Sequence, residues 1–407
     1  MIKKSSVKAG AYFSHSECFG HTSRVIAISQ IFKKRFPDGD FFFIQAGVEQ
    51  PKVNFDQNGQ VYSLPHPFMN RSNFRSPLLH PETHVGIRAQ ACVDIIVRER
   101  PNLFLTEFFP LGREECRHEL IPALAKGFAE GVELWGVAGY PLLIGTGDGW
   151  REKILKLYQK IVIFAPLIEK DMIAASILEP QERERYHDFF KRHEQKIKFA
   201  GYLLPEGGII NYKEDANSSK PPIPRGACRV AVVRGGGAYY PKIIAEAIRA
   251  SDLLGEEYYL TVVAGPSTTL EEWYFFSTLM TKKEIKNVAL LKSIVDYEGL
   301  IKDSDICVAT ASYHTSVMLL KHQKKAVIIP FEGYTKEMSF AEQPARAEML
   351  RKIIDATVIP IQKLKAVTLA SSIKAAAHRT LPTMNIPKDW FNGGETLGAA
   401  LTELFPR

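Results

Sequence analysis

The chain alternates short apolar runs with longer stretches in which apolar residues recur every three or four positions. "VKAGAYFS" (Val7–Ser14), "DFFFIQA" (Asp40–Ala46), "PNLFLTEF" (Pro101–Phe108) and "KIVIFAP" (Lys160–Pro166) are of the first kind. Runs of that length that stay apolar on both faces predict strands buried inside a parallel sheet. "SRVIAISQIFKKRF" (Ser23–Phe36), "ETHVGIRAQACVDIIVRER" (Glu82–Arg100) and "ECRHELIPALAKGF" (Glu115–Phe128) carry the helical period. Strands separated by helices of this size predict βαβ units.

At "LLPEGGIINYKEDANSSKPPIPRG" (Leu203–Gly226) the periodicity stops. Pro, Gly, Ser and charged residues dominate, which reads as a linker. The alternation then restarts with "CRVAVVRGGG" (Cys228–Gly237), "EYYLTVVAG" (Glu257–Gly265), "NVALLKS" (Asn287–Ser293), "SDICVAT" (Ser304–Thr310) and "KKAVIIPF" (Lys324–Phe331). The expected class is α/β, with two Rossmann-like domains whose parallel sheets face a central cleft. The expected limits are 1–205 for the first domain, 206–226 for the linker, 227–385 for the second domain and 386–407 for a closing segment containing the helix "GGETLGAALTELF" (Gly393–Phe405). Open α/β sheets bind ligands beyond the carboxyl ends of their strands, so the cleft is the expected site.

The 407 residues suit two cores better than one. No run approaches the roughly 18 uninterrupted apolar residues of a membrane span. The start, "MIKKSSVKAGAYF", has charge but no apolar stretch behind it, so a signal peptide is not expected. The five cysteines are scattered and form no Cys-x-x-Cys pair. A reducing, cytoplasmic setting fits better than a disulfide framework or a zinc site. The net charge of +7 fits plain solubility, or attraction to an anionic substrate or membrane surface. Lys3, Lys4, Lys33, Lys34 and Arg35 are the candidate contacts for peripheral attachment at an inner membrane face. No nucleic-acid-binding signature is present. "PDGD" (Pro37–Asp40) contains Asp-x-Asp, but between a basic helix end and a strand it reads as a turn, and no metal is expected.

Three segments of the second half offer ligand chemistry. Gly235, Gly236 and Gly237 follow a strand and let backbone approach a ligand, although a tight turn that binds nothing has the same signature. "DICVATASYHTSVMLLKH" (Asp305–His322) runs from strand through small residues into a helix with Ser312 as a possible N-cap. A diphosphate there would meet free N–H groups, the Thr315 hydroxyl and His314; alternatively Tyr313 and His314 are ordinary first-turn residues. In "EGYTKEMSFAEQPARAEMLRK" (Glu332–Lys352), Glu342, Gln343 and Arg346 share a helix face, suited to sugar hydroxyls or to a helix-start salt bridge.

These motifs in this order resemble the nucleotide-sugar half of GT-B glycosyltransferases. The likeness is strongest to family 28, that of the peptidoglycan lipid-intermediate N-acetylglucosaminyltransferase, and to predicted transferases related to it. "FGHTSRVIAIS" (Phe19–Ser29) resembles their first Gly-His turn. Its Gly-His-x-x-Arg form is closer still to nucleotide-sugar hydrolases of the superfamily. "TEFFPLGREECRHELIPAL" (Thr106–Leu124) is similar to a segment of those predicted transferases. Met318 stands where the family commonly has a glutamate on the donor ribose, and Ser312-Tyr313-His314-Thr315 replaces the usual turn.

The resemblance implies a metal-independent, inverting transfer from a nucleotide-activated sugar, used as co-substrate with no other cofactor, to a small-molecule, glycan or lipid-linked acceptor. Gly20 is expected to allow a tight turn under a substrate, and His21 to take a proton from the acceptor hydroxyl or amine. His21 as a mere helix cap is the plainer alternative. His15 competes with it, and Glu107 could serve as base or acceptor ligand. Arg24 would bind a phosphate or pair with an acid. Asp148 is a further loop carboxylate, although Asp-Gly usually makes a turn. A nucleotide-sugar hydrolase or 2-epimerase is the alternative within the superfamily; a non-catalytic sugar-nucleotide or glycan-binding protein is the alternative outside enzymes.

Overall fold

The computed structural model describes residues 7–14, 20–47, 55, 59–64, 81–141, 149–206, 223–235, 240–282, 285–294, 296–332, 342–380 and 386–406. The first sheet has seven strands: β1 (Lys8–Phe13), β2 (Asp40–Gln45), β3 (Gln60–Ser63), β4 (Leu103–Glu107), β5 (Glu133–Ala138), β6 (Lys160–Ile163) and β7 (Ile197–Phe199). Their spatial order is β3-β2-β1-β4-β5-β6-β7. The second sheet has six: β8 (Cys228–Val233), β9 (Tyr258–Val263), β10 (Val288–Leu291), β11 (Ile306–Ala309), β12 (Lys325–Ile328) and β13 (Thr357–Val358), in the order β10-β9-β8-β11-β12-β13. Every neighbouring pair is parallel.

Both sheets are thus doubly wound, as the alternation predicts. In each the order reverses once, between β1 and β4 in the first and between β8 and β11 in the second. Such switch points leave a crevice at the strand ends, because the crossovers on either side depart in opposite directions. The apolar runs are buried on both faces: Ala9, Ala11 and Phe13 of β1 and Phe43 and Ile44 of β2 have no exposed surface.

Three of the four strands that the apolar pattern did not announce have a common reason. β3, β7 and β13 lie at sheet edges, where a short strand is defined by its one neighbour more than by its own apolarity. β5, "ELWGVA", carries Gly136 in its interior, and a Cβ there would press on Ile161 and the Phe109 carbonyl. The segment Pro37–Asp38 is a turn, as "PDGD" predicts.

The last helix (Gly393–Leu404) packs on the first (Gly20–Arg35). Phe36 meets Phe405 at 5.8 Å between ring centroids, and Gly393 N–H donates to the Tyr202 carbonyl at 3.2 Å. Lys33 donates to the Gly39 carbonyl at 2.6 Å, Lys34 pairs with Glu206 at 3.3 Å, and the Arg35 guanidinium lies against Gly398. Lys33 is thus held by the fold, whereas Lys34 and Arg35 remain exposed at the surface; Lys3 and Lys4 lie outside the described residues. No helix among the described residues is long and apolar enough to cross a membrane.

The two sheets meet through Tyr313. Its hydroxyl donates to the Phe164 carbonyl at 2.8 Å and accepts from Leu203 N–H at 3.0 Å, both across the domain boundary. The ring is buried beside Tyr202. Removing only the hydroxyl, as in Tyr313→Phe, orphans a buried N–H and a buried carbonyl at once. Chemical denaturation should show a loss of about 1–3 kcal/mol; an unchanged midpoint would mean that the domains are not held by this contact.

Candidate active site

The first switch point brings His21 and Glu107 together. β4 ends at Glu107, and His21 stands in the first turn of the helix that follows β1, the neighbouring strand. His21 Nδ1 lies 2.5 Å from Glu107 Oε2. The Arg24 guanidinium, one turn further along the helix, donates to Glu107 Oε1. The Glu107 side chain is wholly buried whereas that of His21 keeps 13% of its surface exposed. Of the two, only the histidine can meet a substrate. Burial by itself would raise the Glu107 carboxyl, but His21, Arg24 and Arg113 hold it below its usual value.

The other face of the imidazole is also specified. Arg113 Nη2 lies 2.8 Å from His21 Nε2. A guanidinium only donates, so Nε2 carries the lone pair and Nδ1 the proton that goes to Glu107. That is the tautomer a general base needs. The sequence reading did not single out Arg113; it sits in the quoted stretch "TEFFPLGREEC", but nothing local marks it as a partner of a residue 92 positions earlier.

Gly20 departs from expectation. A Cβ there meets no atom within 4 Å, and its φ is not left-handed. No tight turn rests on it, because the chain has already entered the helix at this residue. The glycine under strain of space is Gly139, where a Cβ would collide with the Arg24 guanidinium. Arg24 is thereby wedged between Glu107, Gly139 and the Tyr313 ring, 4.8 Å from its centroid. It pairs with an acid rather than lying open to a phosphate. His15 and Asp148 lie outside the described residues.

The second switch point brings together the turns after β8 and β11. Gly235 has φ 77°, and a Cβ on it would touch Ser312 and Thr310. The preceding Arg234 has a fully buried side chain bonded to Thr268 at 2.9 Å, to Glu272 at 2.8 Å and to the Ala264 carbonyl, which anchors the turn. Gly236 and Gly237 lie outside the described residues. Ser312 is the N-cap of the helix Tyr313–Lys321, but its hydroxyl donates to Thr315 Oγ1 at 2.9 Å and makes no cap bond. Thr315 Oγ1 also bonds the Tyr297 hydroxyl at 2.7 Å. The Ser312 side chain therefore leaves the first N–H groups of this helix uncapped, while the Thr315 hydroxyl is already committed.

Other donor-side expectations shift in the same way. Desolvation, with the nearby charge of Arg24, lowers His314 to about 4, so its imidazole is neutral and brings no positive charge to a phosphate. Gln343 accepts from Phe331 N–H at 3.0 Å. Arg346 is buried, donates to the Ala311 carbonyl at 2.7 Å and lies 5.1 Å over the Tyr140 ring. Glu342, 4.0 Å from Arg346, keeps partial exposure and is the member of the trio still open to a ligand. Met318 is buried in the core. Among the described residues no group of three His, Cys, Asp or Glu could hold a metal.

Solved structures resemble the whole chain. The glycosyltransferase of kitacinnamycin superposes with a TM-score of 0.61 at 12% identity, covering 98% of this chain and 100% of that one. MurG from Acinetobacter baumannii gives 0.55 at 11%, covering 98% and 94%. The UDP-GlcNAc 2-epimerase from Methanocaldococcus jannaschii gives 0.55 at 10%, covering 98% and 100%. The chain has the two-domain GT-B fold. No family model and no curated protein matches the sequence. The resemblance to GT-B enzymes therefore holds at the level of fold.

One buried acid of this GT-B interface has a measurable consequence. Glu169, on the helix Leu167–Ile177, packs against the second-domain helix Glu342–Ile354. Neither carboxyl oxygen has a hydrogen bond of ordinary length. Burial raises the group to about 7, against the opposing pull of Arg346 and the Tyr202 hydroxyl. The folded chain thus keeps this proton up to about pH 7, while the unfolded chain releases it near 4.5. The stability tied to the neutral form is complete below pH 4.5 and is lost as pH rises through 7. Glu169→Gln, neutral throughout, should gain on the parent between pH 5 and pH 8 by on the order of a few kcal/mol in urea unfolding. A pH-independent difference would show that the carboxyl is ionised in the fold.

Proposed function

We propose that this protein is a GT-B sugar-processing enzyme, a glycosyltransferase that holds its acceptor on the first domain and a nucleotide-activated sugar on the second. The observation that carries the reading is the His21–Glu107 pair at the first switch point. A buried carboxylate orients a partly exposed imidazole, with its lone pair on the outward nitrogen. Glu107 positions; His21 Nε2 takes the proton of the acceptor hydroxyl or amine as that atom bonds to the anomeric carbon. The bond from that carbon to the donor diphosphate breaks, and the configuration inverts. The turn at Gly235 and the uncapped helix start at Tyr313 offer backbone N–H groups to the departing charge, a metal-free form of stabilisation typically worth a few kcal/mol per well-placed donor.

A second reading has an observation of its own. The UDP-GlcNAc 2-epimerase superposes as closely as MurG does. A hydrolase releases nucleoside diphosphate from a nucleotide sugar without any acceptor, an epimerase returns a nucleotide sugar inverted at C2, and a transferase needs the acceptor; product analysis with and without acceptors separates the three.

His21→Ala should lower turnover roughly 100- to 10,000-fold and leave nucleotide affinity unchanged, since the histidine is on the opposite domain. Glu107→Gln keeps the shape but not the charge and should also slow turnover. Full activity in His21→Ala would remove the base assignment. Nucleoside diphosphates in the presence of chelator should raise the melting temperature; at about a hundred times the dissociation constant the stabilisation is about 2.7 kcal/mol. No shift with any nucleotide would refute the donor-site half of the proposal.

A further inference from the structure

The loop behind β4, "FFPLGRE" (Phe108–Glu114), has no task in that scheme, yet its shape is heavily specified. Phe108 and Arg113 are both left-handed, at φ 60° and 54°, an unusual state for residues other than glycine. Such conformations persist where surrounding structure imposes them, and they gather at functional sites. Here the surroundings do impose them. Phe108 N–H donates to Val137 O at 2.6 Å, Gly112 N–H to Phe108 O at 2.7 Å and Cys116 N–H to Arg113 O at 2.9 Å. Thr106 Oγ1 donates to Phe109 O and Arg151 Nε to Pro110 O, each at 2.8 Å. Gly112 has no room for a side chain against the Phe108 ring. The result of all this is to aim Arg113 at His21, with Nη2 2.8 Å from Nε2.

That contact obstructs the base. A lone pair that accepts a hydrogen bond from a guanidinium cannot at the same moment take a proton. We propose that Arg113 determines acceptor specificity: it covers the base in the ligand-free protein and is drawn off by an anionic group, carboxylate or phosphate, carried by the acceptor beside its reacting hydroxyl or amine. The inference rests on the transferase reading above. Its chemistry follows from the guanidinium, whose planar fork matches carboxylate and phosphate oxygens in two parallel, charge-assisted bonds. Such a ligand outbids a neutral imidazole nitrogen; water does not. The base is uncovered only when an acidic acceptor is in place, which keeps water from consuming the donor. The assignment to acceptor rather than donor follows from position. Arg113 belongs to the first sheet, whereas the turns at Gly235 and Ser312 belong to the second.

The test reads His21 directly and needs no turnover. The full-length chain is labelled with ¹⁵N-histidine, and His21→Ala assigns the ring signals. Inorganic phosphate and acetate stand in for the two anion types, against chloride at matched ionic strength. The expected result is that Arg113→Met moves the Nε2 signal and leaves Nδ1 protonated. At least one of the two anions moves the parent signal toward that of the variant and has no effect on the variant itself. Arg113→Lys, which keeps the charge, should retain a response and serves if the methionine variant does not fold. An Nε2 signal indifferent to Arg113→Met, or an anion response equal in parent and variant, would overturn the proposal. A response to a nucleoside diphosphate alone would also overturn it, because the anion would then be the donor's. In turnover, paired acceptors differing in one carboxylate should show Arg113→Met raising the KM of the acidic member roughly 10- to 100-fold, with donor hydrolysis increased. Loss of the His21→Ala effect with the Nε2 result intact would sink the transferase reading and leave the Arg113 contact standing.

Discussion

A carboxylate with no access to water must be neutralised by the groups packed around it, or it takes up a proton. Glu107 is in that position at the end of β4, and the cleft is organised around meeting its demand. One oxygen takes Arg24 and the other takes His21. Deleting either partner of a buried pair typically costs about 3–5 kcal/mol, because the charge left behind has nothing to replace it. The same requirement that stabilises the fold therefore orients the imidazole, and the orientation of the imidazole turns its lone pair away from Glu107 toward Arg113.

The consequences extend to the other domain. Arg24, drawn in by Glu107, stacks on Tyr313, and Tyr313 bonds Phe164 and Leu203. Arg346 reinforces this from the far side, over Tyr140 and against the Ala311 carbonyl. Side chains with good ligand chemistry are thereby consumed in holding the domains together. At the second switch point Glu342 keeps partial exposure, beside the left-handed Gly235 and the first turn of a helix whose N-cap side chain is turned aside. Backbone N–H groups can bind a diphosphate whatever side chains surround them.

Much of the architecture could be read from residues alone. A strand buried on both faces must be apolar throughout, and a crossover helix must be apolar on one side, so the alternation of the two patterns already dictates parallel, doubly wound sheets. His21 and Glu107 could be named for the same reason: each ends or follows an apolar run, at the strand termini where such sheets bind ligands. Edge strands such as β7 and β13 escaped because two or three residues need a neighbour, not a pattern, to become a strand.

The roles of the named residues were another matter. Sequence determined that an acid, a histidine and two arginines were available; only tertiary structure decided which pairs met. Glu107 is paired with His21 and Arg24 and closed off from water because the folded sheet buries it. Arg346 and Tyr313 are buried at the interface because the domains dock on them. Gly20, placed where a turn was expected, needs no freedom, whereas Gly139 must lack a side chain, because Arg24 arrives beside it from 115 residues away. Arg113 could not be found at all, since two left-handed residues and five hydrogen bonds aim it. Burial, pairing and direction are properties of distances between segments remote in the chain, and local composition carries no record of them.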